Sequence, residues 1–164
     1  MNHFTPSSSH EHVCFEEVNY TSDLATECLQ AFAAELSGRL NQPFDLTKSG
    51  DPDLSQMRHP NGTFIVAHRR GAPLGCVGVK GNGGAVAEIK RIWVAPQARG
   101  LGLARALMAR AEDAARALSI TTLRLDTNRT LFEAVSLYQR TGWTEIDRFN
   151  DDPYPDIFFE KQLR

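Results

Sequence analysis

Residues 97–104, QARGLGLA, decide the fold of this chain. They follow a strand-like run at residues 87–96, AEIKRIWVAP, and they open a long helical stretch. Glycine at the start of a helix needs a reason, because it costs about 1 kcal/mol in a helix interior relative to alanine. The two glycines therefore indicate either a tight turn or a place where a bound anion must approach bare backbone.

A phosphate suits this position, since a helix N-terminus has unpaired N–H groups and a partial positive charge. Arg99 and Arg105 add positive charge beside the glycines. Neither common phosphate loop is present: a Walker loop needs a lysine followed by serine or threonine, and a dinucleotide fingerprint needs glycine or alanine where Arg105 stands. An anion site and a plain strand-to-helix turn both fit these residues.

Composition narrows the class of protein. The 164 residues are 41% hydrophobic and 23% charged, as in a globular domain, and the net charge of -2 gives no basic surface for nucleic acid or an anionic membrane. There is no membrane-length apolar run and no signal-peptide pattern at the start. The three cysteines are scattered, without metal or disulfide spacing. We expect a cytoplasmic protein without a metal.

The order of predicted elements indicates a single domain. Residues 1–12 are polar and predict a disordered N-terminal tail, although their three histidines also suit a metal. Residues 13–164 predict the order β-α-loop-β-β-β-α-β-α-β-β, with a short helix near residues 52–57. Because hairpins are combined with crossover helices, the fold class is α/β (α+β), a mixed central sheet flanked by helices.

Polar residues and glycine mark the helix ends. Thr21 or Ser22 suits the start of the first helix. Thr130 followed three residues later by Glu133 predicts a capping box at the start of the last helix. Gly142 suits the left-handed position after that helix.

Two motifs in order resemble those of the GCN5-related N-acetyltransferase (GNAT) family. Residues 97–102 match its Q/R-x-x-G-x-G/A signature, and residues 134–143, AVSLYQRTGW, match its A-x-x-L-Y-x-x-x-G-F-like run. The 31 residues between them hold the helix and strand that the family has there. The resemblance covers residues 13–163, the first half by element order alone, and implies an N-acetyltransferase domain at residues 13–164.

The resemblance implies acetyl-CoA as cosubstrate, held between splayed fourth and fifth strands. Loop N–H groups would bind its pyrophosphate, and the fourth strand's backbone its pantetheine arm. Many relatives have a cofactor-binding asparagine where this chain has Leu131; Asn128, three residues earlier, either replaces it or is a turn residue. The implied cofactor-binding residues are Ile92, Trp93, Val94, Gln97, Arg99, Gly100, Leu101, Gly102, Leu103, Ala104 and Asn128.

The resemblance also implies the catalytic groups. Tyr138 matches the tyrosine that protonates the departing sulfur, although it also continues an apolar helical stripe. Glu88 is the candidate base, because some family members use a fourth-strand glutamate in that role, often through water. Period-2 alternation also puts Glu88 on one strand face with Lys90, Ile92 and Val94. The alternative for Glu88 is a structural ion pair with Lys90. No arrangement for a covalent acyl-enzyme is apparent, which favours direct attack in a ternary complex.

The acceptor implied is a primary amine of a small molecule or peptide. In the family its site lies between the first helix, the next loop and the last hairpin, here residues 32–53 and 149–156. The alternative function is a non-catalytic acyl-CoA-binding module. Asp151, Asp152 and Asp156 would attract a cationic amine or form a solvated loop. A substrate carboxylate would instead suit Arg58, Lys80 and Lys90. Near the C-terminus, the aromatic side chains of Trp143, Phe158 and Phe159 suit either a homodimer contact or the core.

Overall fold

A seven-stranded sheet forms the centre of the computed structural model, which describes residues 13–39 and 54–164. The tail predicted at residues 1–12 and most of the loop after the first helix lie outside the described residues. The strands are β1 (Cys14–Glu17), β2 (Thr63–Arg69), β3 (Ala72–Gly81), β4 (Val86–Val94), β5 (Thr122–Thr127), β6 (Thr144–Ile146) and β7 (Ile157–Gln162); the helices are α1 (Asp23–Arg39), α2 (Leu103–Ala117) and α3 (Phe132–Arg140).

The strand order is β1-β2-β3-β4-β5-β7-β6. The pairing of β4 with β5 is parallel, and the other strand pairs are antiparallel. A parallel pair needs a crossover, which α2 supplies between β4 and β5. The mixed sheet predicted from the element order is therefore confirmed. Within the described ranges, no helix is both long and apolar enough to span a bilayer.

Helices cover both faces of the sheet and form two cores. On one face, Cys28 and Leu29 of α1 pack with Phe64 and Trp93 of the sheet. On the other face, Leu107 of α2 and side chains of α3 join a larger cluster. Burial of apolar surface on both faces fixes the position of β4 in the middle of the domain.

A bulge interrupts β4 at Arg91, which has a φ of 59°. The register with β3 shifts here, and the strand changes the face to which its residues point. Ile89 belongs to the larger cluster, and beyond the bulge it is Ile92 and Val94 that pack against that cluster. The prediction that Glu88, Lys90, Ile92 and Val94 share one face is therefore wrong, because strict alternation ends at the bulge.

The parallel pairing of β4 and β5 covers only three residue pairs and ends at Glu88 opposite Arg124. Beyond that point β5 continues its pairing with β7, and β4 continues its pairing with β3 as far as Val94. The two strands therefore diverge and leave one edge of β4 unpaired by β5. This confirms the splay that the family resemblance implied.

The ends of the helices follow the sequence in part. Ser22 Oγ accepts a hydrogen bond from Ala25 N at the start of α1, as predicted. The predicted capping box at α3 is wrong. Leu131 occupies the N-cap position without a side-chain hydrogen bond, and the Thr130 hydroxyl donates a hydrogen bond to Asn128 Oδ1. Gly142 has a φ of 91°, which confirms its left-handed position after α3.

Gly75 keeps β3, β4 and α2 in close contact. A Cβ at Gly75 would lie 2.7 Å from Trp93 O and 2.9 Å from Leu107 Cδ1. We expect Gly75→Ala to lower the free energy of unfolding by about 1–3 kcal/mol, the usual cost of overpacking. Chemical denaturation measures it. The matched control is Gly38→Ala in α1, where a Cβ meets nothing within 4 Å; equal effects of the two variants would contradict the steric explanation.

Candidate active site

The glycine turn presents bare backbone at the start of α2. Gly100 and Gly102 have φ values of 80° and 76°, the left-handed region that favours glycine. A Cβ on either would meet no atom within 4 Å, so the space above the turn is open. Gly102 is the N-cap residue of α2 and makes no side-chain cap bond. The turn alone explains the glycines, and it also leaves helix N-terminal N–H groups accessible to an anion.

Two arginines stand beside this turn. Arg99 Nε donates a hydrogen bond to Val94 O at 3.1 Å, which ties the turn to the end of β4. The guanidinium group of Arg99 also donates to Glu35 on α1. Arg105 lines the same cleft from the first turn of α2. The turn therefore combines open N–H groups with the positive charge of Arg105, whereas Glu35 balances the charge of Arg99.

A cleft of about 450 Å³ opens over the turn, between α1, the end of β4 and α3. Gln97 and Leu101 are absent from its lining, and Leu101 is 41% exposed. The other loop and strand residues predicted for the cofactor line this cleft together: Ile92, Trp93, Val94, Arg99, Gly100, Gly102, Leu103 and Ala104.

Side chains from α1 and α3 form the remaining walls, and the sequence motifs did not identify most of them. Arg39 donates to Glu133 across the mouth of the cleft at 2.8 Å. That hydrogen bond lowers the pKa of Glu133 below its ordinary value. The apolar spacing of a helix, to which Leu36 and Leu131 contribute, indicates a buried face but not what packs against it. Phe32, Glu35, Leu36 and Arg39 lie within residues 32–53, the range predicted for the acceptor. The lining residues outside every predicted set are Ala98, Leu131, Glu133, Ala134, Leu137, Arg140 and Thr141.

Tyr138 lies where the cleft meets a second, smaller cavity, and it lines both. It is only 2% exposed and packs against the rings of Trp143 and Phe159 at centroid distances of 6.0 and 5.8 Å. Burial raises the pKa of Tyr138, and the negative charge of Asp126 raises it further. Both effects favour the protonated phenol in the folded protein.

The smaller cavity, of about 120 Å³, continues from the cleft. Phe32, Leu36 and Ile92 line both spaces, so the two are contiguous. Polar groups are concentrated in the smaller one: Lys90, Arg91, Asp126, Thr127, Asn128 and Asp152. A charged lining beside a protonated phenol suits the reacting end of a polar substrate.

Besides Gln97 and Leu101, the predicted residues Glu88 and Asn128 lie outside the lining of the cleft. Glu88 lines neither space; its Oε2 is 3.3 Å from Lys90 Nζ, so the ion pair left open as its alternative is present. Asn128 lines the smaller cavity, and its amide donates to Tyr154 O and accepts from Thr130 N. Its side chain therefore holds the turn before α3, which was the alternative for this residue.

Burial and contacts test the predictions made for the C-terminal aromatic residues and the acidic loop. Trp143, Phe158 and Phe159 are 5%, 4% and 1% exposed within one chain, which confirms the core alternative; the homodimer stays a prediction. In the acidic loop Asp152 lines the smaller cavity, whereas Asp156 accepts a hydrogen bond from Arg129 N. Within residues 13–39 and 54–164, no cluster of ligating side chains could hold a metal.

Comparison with known proteins identifies relatives of the chain. The model of the acetyltransferase (GNAT) family matches residues 22–143. An IAA acetyltransferase of Azospirillum brasilense is 37% identical over 117 residues, which cover 68% of this chain and 74% of the relative. An uncharacterized N-acetyltransferase of Schizosaccharomyces pombe is 34% identical over 102 residues, 61% of this chain and 63% of the relative.

Solved structures share the fold. An acetyltransferase of the GNAT family from Staphylococcus aureus superposes with a TM-score of 0.78 at 20% identity, over 93% of this chain and 99% of that one. The yncA protein of Salmonella typhimurium, solved with its cofactor acetyl-CoA, has a TM-score of 0.65 at 18% identity, over 93% of this chain and 95% of that one. Sequence identities this low show a shared fold. The substrate has to be inferred from the residues of this site.

Proposed function

This chain belongs to the acetyltransferase (GNAT) family and is an acyltransferase, and from that premise we propose that it transfers an acetyl group from acetyl-CoA to a primary amine. The amine attacks directly, in a complex that holds both substrates. The observation that carries the proposal is the contiguity of the larger cleft, its glycine turn and Tyr138.

The cleft fits acetyl-CoA by its chemistry. Open N–H groups at Gly100 and Gly102 suit a diphosphate, and Arg105 adds positive charge beside them. The edge of β4 from Ile92 to Val94, unpaired by β5, offers backbone groups to the amide-bearing arm. When bound there, acetyl-CoA supplies the thioester whose acetyl group is transferred.

Tyr138 is the proton donor of the proposal. It lies where the cofactor cleft and the smaller cavity meet, and its hydroxyl is protonated at neutral pH, as donation to a departing thiolate requires. A base must also take a proton from the incoming ammonium group. Glu88 stays a prediction for that role. Because it lies outside both linings, a proton from the amine would have to reach it through water or Lys90.

Two measurements on the wild-type protein test this function. Calorimetric titration with acetyl-CoA should show micromolar-range binding, because the cleft offers both a diphosphate site and an apolar wall. Mass spectrometry of primary amines incubated with protein and acetyl-CoA should then show acetylated products. A folded protein that does not bind acetyl-CoA would refute the proposal.

Kinetics separate direct transfer from a covalent route. Initial rates at varied concentrations of both substrates should give intersecting double-reciprocal lines, as a ternary complex requires. Parallel lines, together with an acetylated protein in the intact mass spectrum, would contradict direct attack. Binding of acetyl-CoA without turnover of any amine would instead favour the acyl-CoA-binding module.

A further inference from the structure

We propose that Asp126 contacts the acceptor amine in the smaller cavity and accepts its proton. This inference rests on the proposed acetyl transfer and identifies a residue that the sequence motifs did not reveal. Asp126 lies near the end of β5, after the point where β4 and β5 diverge, so its position faces the space that the splay opens.

The carboxylate of Asp126 is held by one oxygen. Its Oδ2 accepts a hydrogen bond from Asn150 Nδ2 at 2.6 Å and lies 3.5 Å from Lys90 Nζ. Within residues 13–39 and 54–164, its Oδ1 accepts no hydrogen bond. The side chain is 12% exposed and lines the cavity. A carboxylate fixed at one oxygen, with the other available, is positioned to accept a proton.

The charges around Asp126 favour a cation. Lys90 Nζ is shared between Asp126 and Glu88, at 3.5 and 3.3 Å, so the three groups carry one formal negative charge in excess. Asp152 adds a carboxylate to the same lining, while Arg91 contributes a positive charge from β4. An ammonium group entering this cavity therefore meets an unmatched carboxylate oxygen.

Asn150 connects Asp126 to the loop that forms one wall of the smaller cavity. It belongs to the segment between β6 and β7, which also contributes Asp152, Tyr154 and Pro155 to the cavity. Asn150 Oδ1 accepts from Asp152 N, and its amide group donates to Asp126. The same residue thus fixes both the loop and the carboxylate.

The proton balance of the step is complete. The ammonium group gives one proton to Asp126 Oδ1, and the neutral nitrogen forms a bond to the acetyl carbon as the carbon–sulfur bond breaks. The Tyr138 hydroxyl gives its proton to the departing sulfur. The second nitrogen proton returns to Tyr138 through water, and Asp126 releases its proton to solvent. The products are an N-acetyl amine, CoA thiol and one proton.

The dimensions of the cavity limit the acceptor. Its volume of about 120 Å³ is about a quarter of the 450 Å³ of the cleft. Apart from Tyr138 and Tyr154, its remaining lining is apolar and includes Phe32, Leu36, Leu125, Leu131 and Pro155. The space takes the amine-bearing end of a small monoamine whose next carbon atoms are apolar. The probes are therefore n-butylamine, 2-phenylethylamine and tryptamine.

The test compares Asp126→Asn with Glu88→Gln. We expect Asp126→Asn to lower kcat/KM for the best probe at least 100-fold and to weaken calorimetric binding of that amine to the CoA-saturated protein, with the Kd for acetyl-CoA within threefold of wild type. Asp126→Glu should recover part of kcat. The hypothesis that Glu88 is the base predicts the large loss in Glu88→Gln instead. Asp113→Asn, an exposed site on α2, is the matched control.

Each outcome decides the inference. Activity of Asp126→Asn within threefold of wild type, or an equal loss in Glu88→Gln, would overturn it, as would a wild type that binds acetyl-CoA but acetylates none of the three amines. Failure of the wild type to bind acetyl-CoA would instead overturn the proposed function. If Asp126→Asn does not fold, Asn150→Ala replaces it: kcat should fall five- to tenfold, and an unchanged kcat would overturn the inference.

Discussion

Replacing both Gly100 and Gly102 with glutamate is expected to weaken acetyl-CoA binding at least 100-fold. Two effects act together. Side chains at φ values of 80° and 76° are strained by about 1–2 kcal/mol per residue, which distorts the turn. The two carboxylates also enter the open space above the turn, where they repel a diphosphate. Calorimetry with acetyl-CoA measures the loss directly.

Gly71 offers a matched control for this pair. It has a φ of 78°, a Cβ there would meet nothing within 4 Å, and it lies in the β2–β3 hairpin outside both cavity linings. Gly71→Glu therefore introduces the same kind of strain and charge, at one residue instead of two, away from the cleft. We expect its Kd for acetyl-CoA to stay within threefold of wild type.

A third variant separates strain from charge at the turn itself. Gly100→Ala with Gly102→Ala keeps the backbone penalty but adds no negative charge, so it should bind acetyl-CoA more tightly than the glutamate pair. If the folded glutamate pair binds within threefold of wild type, the diphosphate does not lie on this turn, and the glycines serve only the change of direction between β4 and α2.

Residues whose role is local were predictable from the sequence. The glycine turn depends on neighbouring residues alone, and so does the left-handed Gly142. Ser22 at the start of α1 is similar, because a cap is formed within one helical turn. The mixed sheet followed from the order of elements, since hairpins and crossovers impose opposite strand directions.

The bulge at Arg91 was not predictable, and it changed the interpretation of the site. Arginine carries no signal for a positive φ, so period-2 alternation extended through it and put Glu88 on the same face as Ile92. In the structure the strand changes face, which separates Glu88 from the residues that line the cleft. The capping box failed for a comparable reason: Asn128 supplies a competing acceptor for Thr130.

The acceptor side depends on contacts between segments far apart in the chain. In the sequence, Asp126 is an ordinary strand residue. Only in the folded protein, where β5 pairs with β7, does Asn150 lie beside it. Glu35 and Arg39 of α1 likewise reach Arg99 and Glu133 only because the helix lies across the cleft. Spacing within a motif carries no information on such pairs.

Tyr138→Phe is expected to lower kcat by about 100-fold, the low end of the usual contribution of a general acid. Binding of acetyl-CoA should stay within threefold of wild type, because phenylalanine keeps the ring contacts with Trp143 and Phe159. A kcat within threefold of wild type would show that Tyr138 is a core residue only, the alternative that its helical stripe suggested.

Titration provides a check that does not depend on turnover. Since burial raises the pKa of Tyr138, the folded protein holds this proton while the unfolded chain releases it near the ordinary value of about 10. Stability due to this group is therefore complete below about pH 10 and declines as the pH rises above it. Urea unfolding at pH 8 and pH 10.5 should show a larger decline in wild type than in Tyr138→Phe. Equal declines would mean that the phenol ionises as freely in the folded protein as in the unfolded chain, and that its buried surroundings do not favour the protonated form.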